Sequence, residues 1–180
     1  ETDGVLYKVD TMNSRIEWKG YKVLKSDQTT HFGDIKFESG DVTVKDGKLQ
    51  SGKFVADITT LENIDLKDDQ EMKAKLEGHL KSGDFFEVEK FPTASYEITK
   101  VTENTAGDYN TLLEGNLTIK GITKPVQFKA NVTVADGNVS IASEPTDINR
   151  EDFGLKFELP LENGLLNKEI NLQILVKALE

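Results

Sequence analysis

Only two arginines, Arg15 and Arg150, stand among the 22 basic residues of this chain. A guanidinium is a planar fork of five donors that suits phosphate or carboxylate, so Arg150, within INREDFG, is a candidate for recognising one of those anions. The alternative is a structural pair with Asp147, Glu151 or Asp152, all within a few residues. His31, at the start of a strand, and Lys124, in the turn-like ITKPV, are next in line for the same task; a rim residue and a solvated turn charge are the plainer readings. His79 reads as a helix-end residue bonding a nearby carbonyl. These two histidines are the only ones and cysteine is absent, so a metal site is not expected. No HExxH spacing and no Gly-x-Ser-x-Gly nucleophile elbow occurs. Asp68-Asp69, at a helix start, serves the helix dipole rather than acid–base work. Neither catalysis nor a cofactor is expected.

Any such residues must be positioned by a chain of 180 residues, long enough for one domain over 1–180 with a real core. A net charge of −10 repels polyanions, which argues against nucleic acid and against an anionic membrane surface. No apolar run approaches the roughly 20 residues of a membrane-spanning helix. The first residue is Glu1, so a processed precursor with a signal peptide or a lipidated N-terminal cysteine is compatible with the sequence.

Period-two alternation dominates. VQFKANVTV puts Val126, Phe128, Ala130, Val132 and Val134 on one face, KFVADI does so with Phe54, Ala56 and Ile58, and INLQILVKAL with Ile170, Leu172, Ile174 and Val176. SYEITKV, RIEWKGYKV, LLEGNLTIKGI, NVSIAS and FGLKFEL bring the total to about eight or more strands. Asp46-Gly47 and Asp136-Gly137, in the similar octets VTVKDGKL and VTVADGNV, read as two-residue type I′ turns. One stretch departs from this pattern. Met72, Leu76 and Leu80 recur every four residues, Asp68 with Glu71 has capping-box spacing, and Gly83 reads as a left-handed stop, which predicts a helix over about 68–81. Antiparallel strands with short turns and one inserted helix make an all-β barrel or sandwich. About eight strands suffice for a barrel that is filled or holds one small ligand.

Several segments in order resemble the YceI-like family of polyisoprenoid-binding proteins: HFGDIKFESGDV, DITTLENID, HLKSGDFFEVEKFPTASYEI, LEGNLTIKGITKPVQF and INREDFGLKF. The resemblance runs from about Tyr7 to Ala178. It implies a single lipocalin-like antiparallel β-barrel with a lidding helix, a long isoprenoid or related lipid in the lumen, and, for many bacterial members, export to the periplasm. Phe85, Phe86 and Phe91 then follow the helix back into the barrel and help close the cavity wall. The expected lumen residues are Phe37, Phe54, Phe86, Phe91, Tyr96 and Ile98 from the first part of the chain. Leu117, Ile119, Phe128, Val132, Phe153, Leu155 and Phe157 follow from the second. Arg150, His31 and Lys124 remain the head-group candidates, for a polyprenyl phosphate or an isoprenoid quinone. Two departures bear on the ligand: Asn149 precedes the Arg-x-Asp-Phe-Gly pattern, and ELPLENGLLNKEI before the last strand, with a turn at Asn163-Gly164, is idiosyncratic.

The expected role is carriage or storage of a hydrophobic lipid. The alternative of another class is a filled barrel serving as a surface or interaction module, and a lipid-modifying enzyme is the third. Small inward residues such as Ala56, Ala94, Ala130, Gly115 and Gly121 lean toward a cavity. A homodimer is compatible with the sequence.

Overall fold

A computed structural model describes residues 4–24, 27–82, 86–103, 107–135, 137–155 and 165–180, with backbone only at 21–24, 27–29, 79 and 165–168. In chain order the elements are β1 (Val5–Val9), β2 (Arg15–Leu24), β3 (Asp27–Lys45), β4 (Lys48–Asn63), α1 (Gln70–Lys81), β5 (Thr93–Glu103) and β6 (Thr111–Ile119). There follow β7 (Ile122–Ala135), β8 (Asn138–Ser143), β9 (Thr146–Asn149), a 3₁₀ turn (Arg150–Phe153) and β10 (Leu165–Leu179).

The sheet runs β10-β2-β3-β4-β5-β6-β7-β8, and β8 pairs back onto β10, closing a ring of eight antiparallel strands. The last strand is the clasp. Its residues up to Leu175 pair with β2, and Leu175 to Leu179 pair with Ala142 to Asn138 of β8. Above that, Glu169 to Leu172 pair with Asn149 to Thr146 of β9. β1 is held between β3 and the end of β10, with Val5 opposite Val44 and Lys8 opposite Leu179. The expected eight-strand closure is therefore present, and among the described residues closure leaves no long free sheet edge to template pairing.

Short turns follow from residues that tolerate positive φ. Asp46 and Gly47 have φ of 55° and 77°, and the strands they join pair at Lys45 and Lys48. Gly137 has φ of 78°; Asp136 lies outside the described residues. A third such turn is Lys120-Gly121, φ 52° and 76°, between β6 and β7. It divides LLEGNLTIKGI, which reads as one strand in sequence.

Two expectations are corrected at element ends. The helix begins at Gln70 and its cap is Asp69, whose Oδ1 accepts the Met72 N–H at 3.1 Å. That places Met72, not Glu71, at the third helical position, so no capping box forms. FGLKFEL is also no strand where it is described. Phe153 ends a 3₁₀ turn whose Asn149 side chain accepts the Glu151 N–H, and Gly154 closes it at φ 69°. The turn wins because Asn149 offers a cap and Gly154 a left-handed stop.

The end of the ring carrying the Asp46-Gly47 and Gly137 turns holds buried core. Val42, Leu113, Ala130, Val139, Ile141 and Ala178 are fully buried there. The opposite end lies beneath α1.

Candidate ligand-binding site

Beneath α1 the ring interior holds an apolar cavity of about 50 Å³. Trp18 (β2), Ile35 (β3) and Leu61 (β4) form strand walls, Leu76 and Leu80 come from α1, and Phe86 from the segment after it. Leu76 and Leu80 share a helix face because they are four residues apart. The helix is stitched to the sheet end: Glu77 Oε2 accepts the Asn63 N–H at 2.8 Å, and Lys73 Nζ meets Glu62 Oε1 at 3.2 Å. Trp18 lies across Gly33, its register partner on β3. A Cβ at Gly33 would overlap the Glu62 carbonyl oxygen and stand 2.7 Å from Trp18 Cζ2, so only glycine lets the indole lie flat there. Trp18 Nε1 is the buried side-chain polar atom without a hydrogen-bond partner among the described residues.

The rim of this cavity is polar. His31 lines it, and its Nδ1 lies 2.8 Å from Asp65 Oδ2. Asp65 Oδ1 accepts the Phe32 N–H and the Asn63 Nδ2–H, each at 2.7 Å. Burial pushes the Asp65 carboxyl up, but the hydrogen bonds from His31, Phe32 and Asn63 outweigh it and hold its pKa below the ordinary value. An ionised carboxylate only accepts, so Nδ1 carries the hydrogen of this pair. Lys19 also borders the cavity.

A second apolar cavity, of about 40 Å³, lies further along the interior. Phe37, Phe54, Tyr96, Leu117 and Phe128 surround it, with Ala56 and Ala94, which face each other across β4 and β5. Tyr96 and Phe128 meet edge to face, centroids 5.1 Å apart, and Phe37 and Phe54 are 6.1 Å apart. Tyr96 fills the space above Gly115, where a Cβ would stand 2.8 Å from its Cζ. Its hydroxyl donates to the Val126 carbonyl at 2.8 Å, and burial drives its pKa upward. Leu172 borders both cavities.

This fold is shared by solved structures. BcnA of Burkholderia cenocepacia superposes with a TM-score of 0.71 at 19% identity, over 94% of this chain and 98% of that one. A polyisoprenoid-binding domain from Saccharophagus degradans gives 0.64 at 12% identity, over 96% and 97%. The sequence profile of the YceI-like domain matches residues 7–178. The chain belongs to the YceI-like family. Among relatives of this YceI-like chain, a UPF0312 protein of Shewanella denitrificans is 29% identical over 153 residues, 82% of this chain and 71% of that protein. One of Staphylococcus aureus is 35% identical over 105 residues, 54% of this chain and 57% of its own length. The match thus spans little more than half of the staphylococcal relative.

Within this YceI-like ring the expected lumen residues fall at different heights. Phe37, Phe54, Tyr96, Leu117 and Phe128 surround the middle cavity, and Phe86 the upper one. Ile98 is buried beside Gly52, its register partner, and Val132 is half-buried beside a surface groove near Gly47. Ile119, Phe153 and Leu155 are buried but line neither cavity. Phe91 packs on the β6–β7 turn, its Cε1 3.1 Å from where a Gly121 Cβ would be. Phe85 and Phe157, the Asn163-Gly164 turn and the His79 side chain lie outside what is described.

The head-group candidates also separate. His31 reaches the cavity rim, Lys124 is exposed on β7, and Arg150 is buried with Nη1 donating to the Leu155 carbonyl at 2.6 Å. Burial lowers the Arg150 pKa, with Glu151 opposing the shift. Neither Lys124 nor Arg150 borders either of these two cavities. Trp18, Ile35, Leu61, Leu76, Leu80, Ile170 and Leu172 were missed as wall residues, although the alternation of RIEWKGYKV and INLQIL already puts Trp18 and Leu172 on an inward face.

Proposed function

We propose that this chain binds a hydrophobic lipid, an isoprenoid, inside the ring and carries or stores it without transforming it. The observation that carries this reading is the succession of two apolar cavities along the interior, both bordered by Leu172, the upper one beneath α1. The solved Saccharophagus domain of like fold is described as polyisoprenoid-binding, which supports the same ligand class. Burial alone supplies affinity: about 0.8 kcal/mol per CH₂, so some ten buried carbons give on the order of 8 kcal/mol before ordering costs. We place the head group near His31 and Lys19, the polar side chains that border the upper cavity.

The competing reading, a filled ring acting as an interaction module, draws on the small size of the cavities, about 50 and 40 Å³. Organic extraction of gently purified protein, with titration of an environment-sensitive apolar dye, separates the two. Lipid binding predicts an extracted prenyl or acyl compound and saturable dye uptake that Ala94→Leu reduces at unchanged secondary structure. Clean extracts together with no saturable uptake would establish the filled ring.

A further inference from the structure

Leu172 stands at the level between the two cavities and borders both. Its inward neighbours on β10 each border one cavity, Ile170 the upper and Ile174 the middle, whereas Leu172 borders both. Ile170 and Ile174 are 6% and 8% exposed, yet Leu172, on the same face and against both voids, is only half-buried.

The surroundings at this level differ in freedom. Trp18 pairs with Leu172 across β2 and β10 and is pressed against Gly33, with Glu62 behind it. The isoleucines above and below are β-branched, which restricts χ1, whereas leucine branches one carbon further out and has more room to change rotamer. Beneath Leu172 the wall is thinned by Ala56 and Ala94.

We propose that Leu172 is a depth gate. An apolar chain filling the upper cavity reaches the middle one only when the Leu172 side chain swings aside, so this residue sets how much tail the ring accepts. The inference rests on the lipid-binding reading above and adds to it a residue that selects chain length.

The test uses geraniol, farnesol and geranylgeraniol, which share a head group and grow by one isoprene unit each. Affinity is measured by displacement of the apolar dye, and fluorescence of Trp18, the single tryptophan, reports occupancy beside the gate. The decisive quantity is the affinity ratio of geranylgeraniol to geraniol within one protein, which is insensitive to the fraction folded. Leu172→Ala opens the passage and should raise that ratio at least about tenfold over wild type, since each added buried carbon contributes. Leu172→Phe blocks it and should bring the ratio toward unity while geraniol still binds. Equal ratios in all three proteins, or binding that leaves Trp18 fluorescence unchanged, would overturn the gate and leave lipid binding standing. If wild type takes up none of the alcohols and no dye, the lipid reading itself fails, and the gate with it.

Discussion

Arg150 shows how environment decides what a reactive residue type does. Its guanidinium is committed to the Leu155 carbonyl inside a 3₁₀ turn, and its backbone carbonyl accepts the Leu155 N–H at 3.1 Å. Hydrogen bonds to charged groups contribute about 1.5–3 kcal/mol. Arg150→Gln is therefore expected to lower unfolding stability by about 1–3 kcal/mol, and to weaken a prenyl phosphate and the matching prenyl alcohol alike. Chemical denaturation and paired titrations check both halves. A selective loss of the phosphate would return Arg150 to the head group. Gly33 gives a second residue-level expectation. Gly33→Ala forces the Trp18 ring and the Glu62 carbonyl apart and should cost about 1–3 kcal/mol by overpacking, with a shift in tryptophan emission.

The element that decides access to the interior is α1. Met72 is 47% exposed, and it is Leu76 and Leu80 that line the upper cavity, because the helix lies across the end of β4 with only its last two turns over the ring. Its start depends on Asp69. Asp69→Ala removes the cap of the Met72 N–H and is expected to destabilise the helix by about 1 kcal/mol. Amide exchange should rise in the first turn of α1, and dye affinity should fall through the loosened Leu76–Leu80 wall. Asp68→Ala, one residue earlier, should leave both unchanged.

At the scale of the whole molecule, two carboxylates contribute to stability under acid in opposite directions, Asp65 and Asp34. Asp65 has a folded pKa below its unfolded value, so its contribution is complete above the unfolded pKa and is lost as pH falls through the folded one. Asp34 is raised by burial and by Glu62, so its cost is present above its folded pKa and is relieved as pH falls. Urea unfolding from pH ~5 to ~3 should show wild type losing stability more steeply than Asp65→Asn, and Asp34→Asn losing it more steeply than wild type. Parallel curves for wild type and Asp65→Asn would mean that the His31–Asp65 pair does not hold the upper rim together.

Much of this architecture was legible in the sequence. Side chains alternate with period two, so VQFKANVTV and INLQIL declare their inward faces without any knowledge of partners. Asp46-Gly47 declares its turn because few residues accept positive φ, and leucines four apart declare the helix. Alternation says which face a residue takes but nothing of its height along the ring, which register alone sets. For that reason Phe128 beside a cavity and Ile98 in packed core look alike in sequence. The pairing of β10 with both β2 and β8 is a contact between distant segments, and it is this closure that turns a sheet into an enclosed interior. The placement of Leu172 between two voids arises from that closure, the clamping of Trp18 on Gly33 from the packing of β2, β3 and β4, and the commitment of Arg150 to Leu155 from the capped 3₁₀ turn. Each depends on atoms brought together from strands far apart or from a turn whose local caps override alternation, so tertiary structure alone decided them.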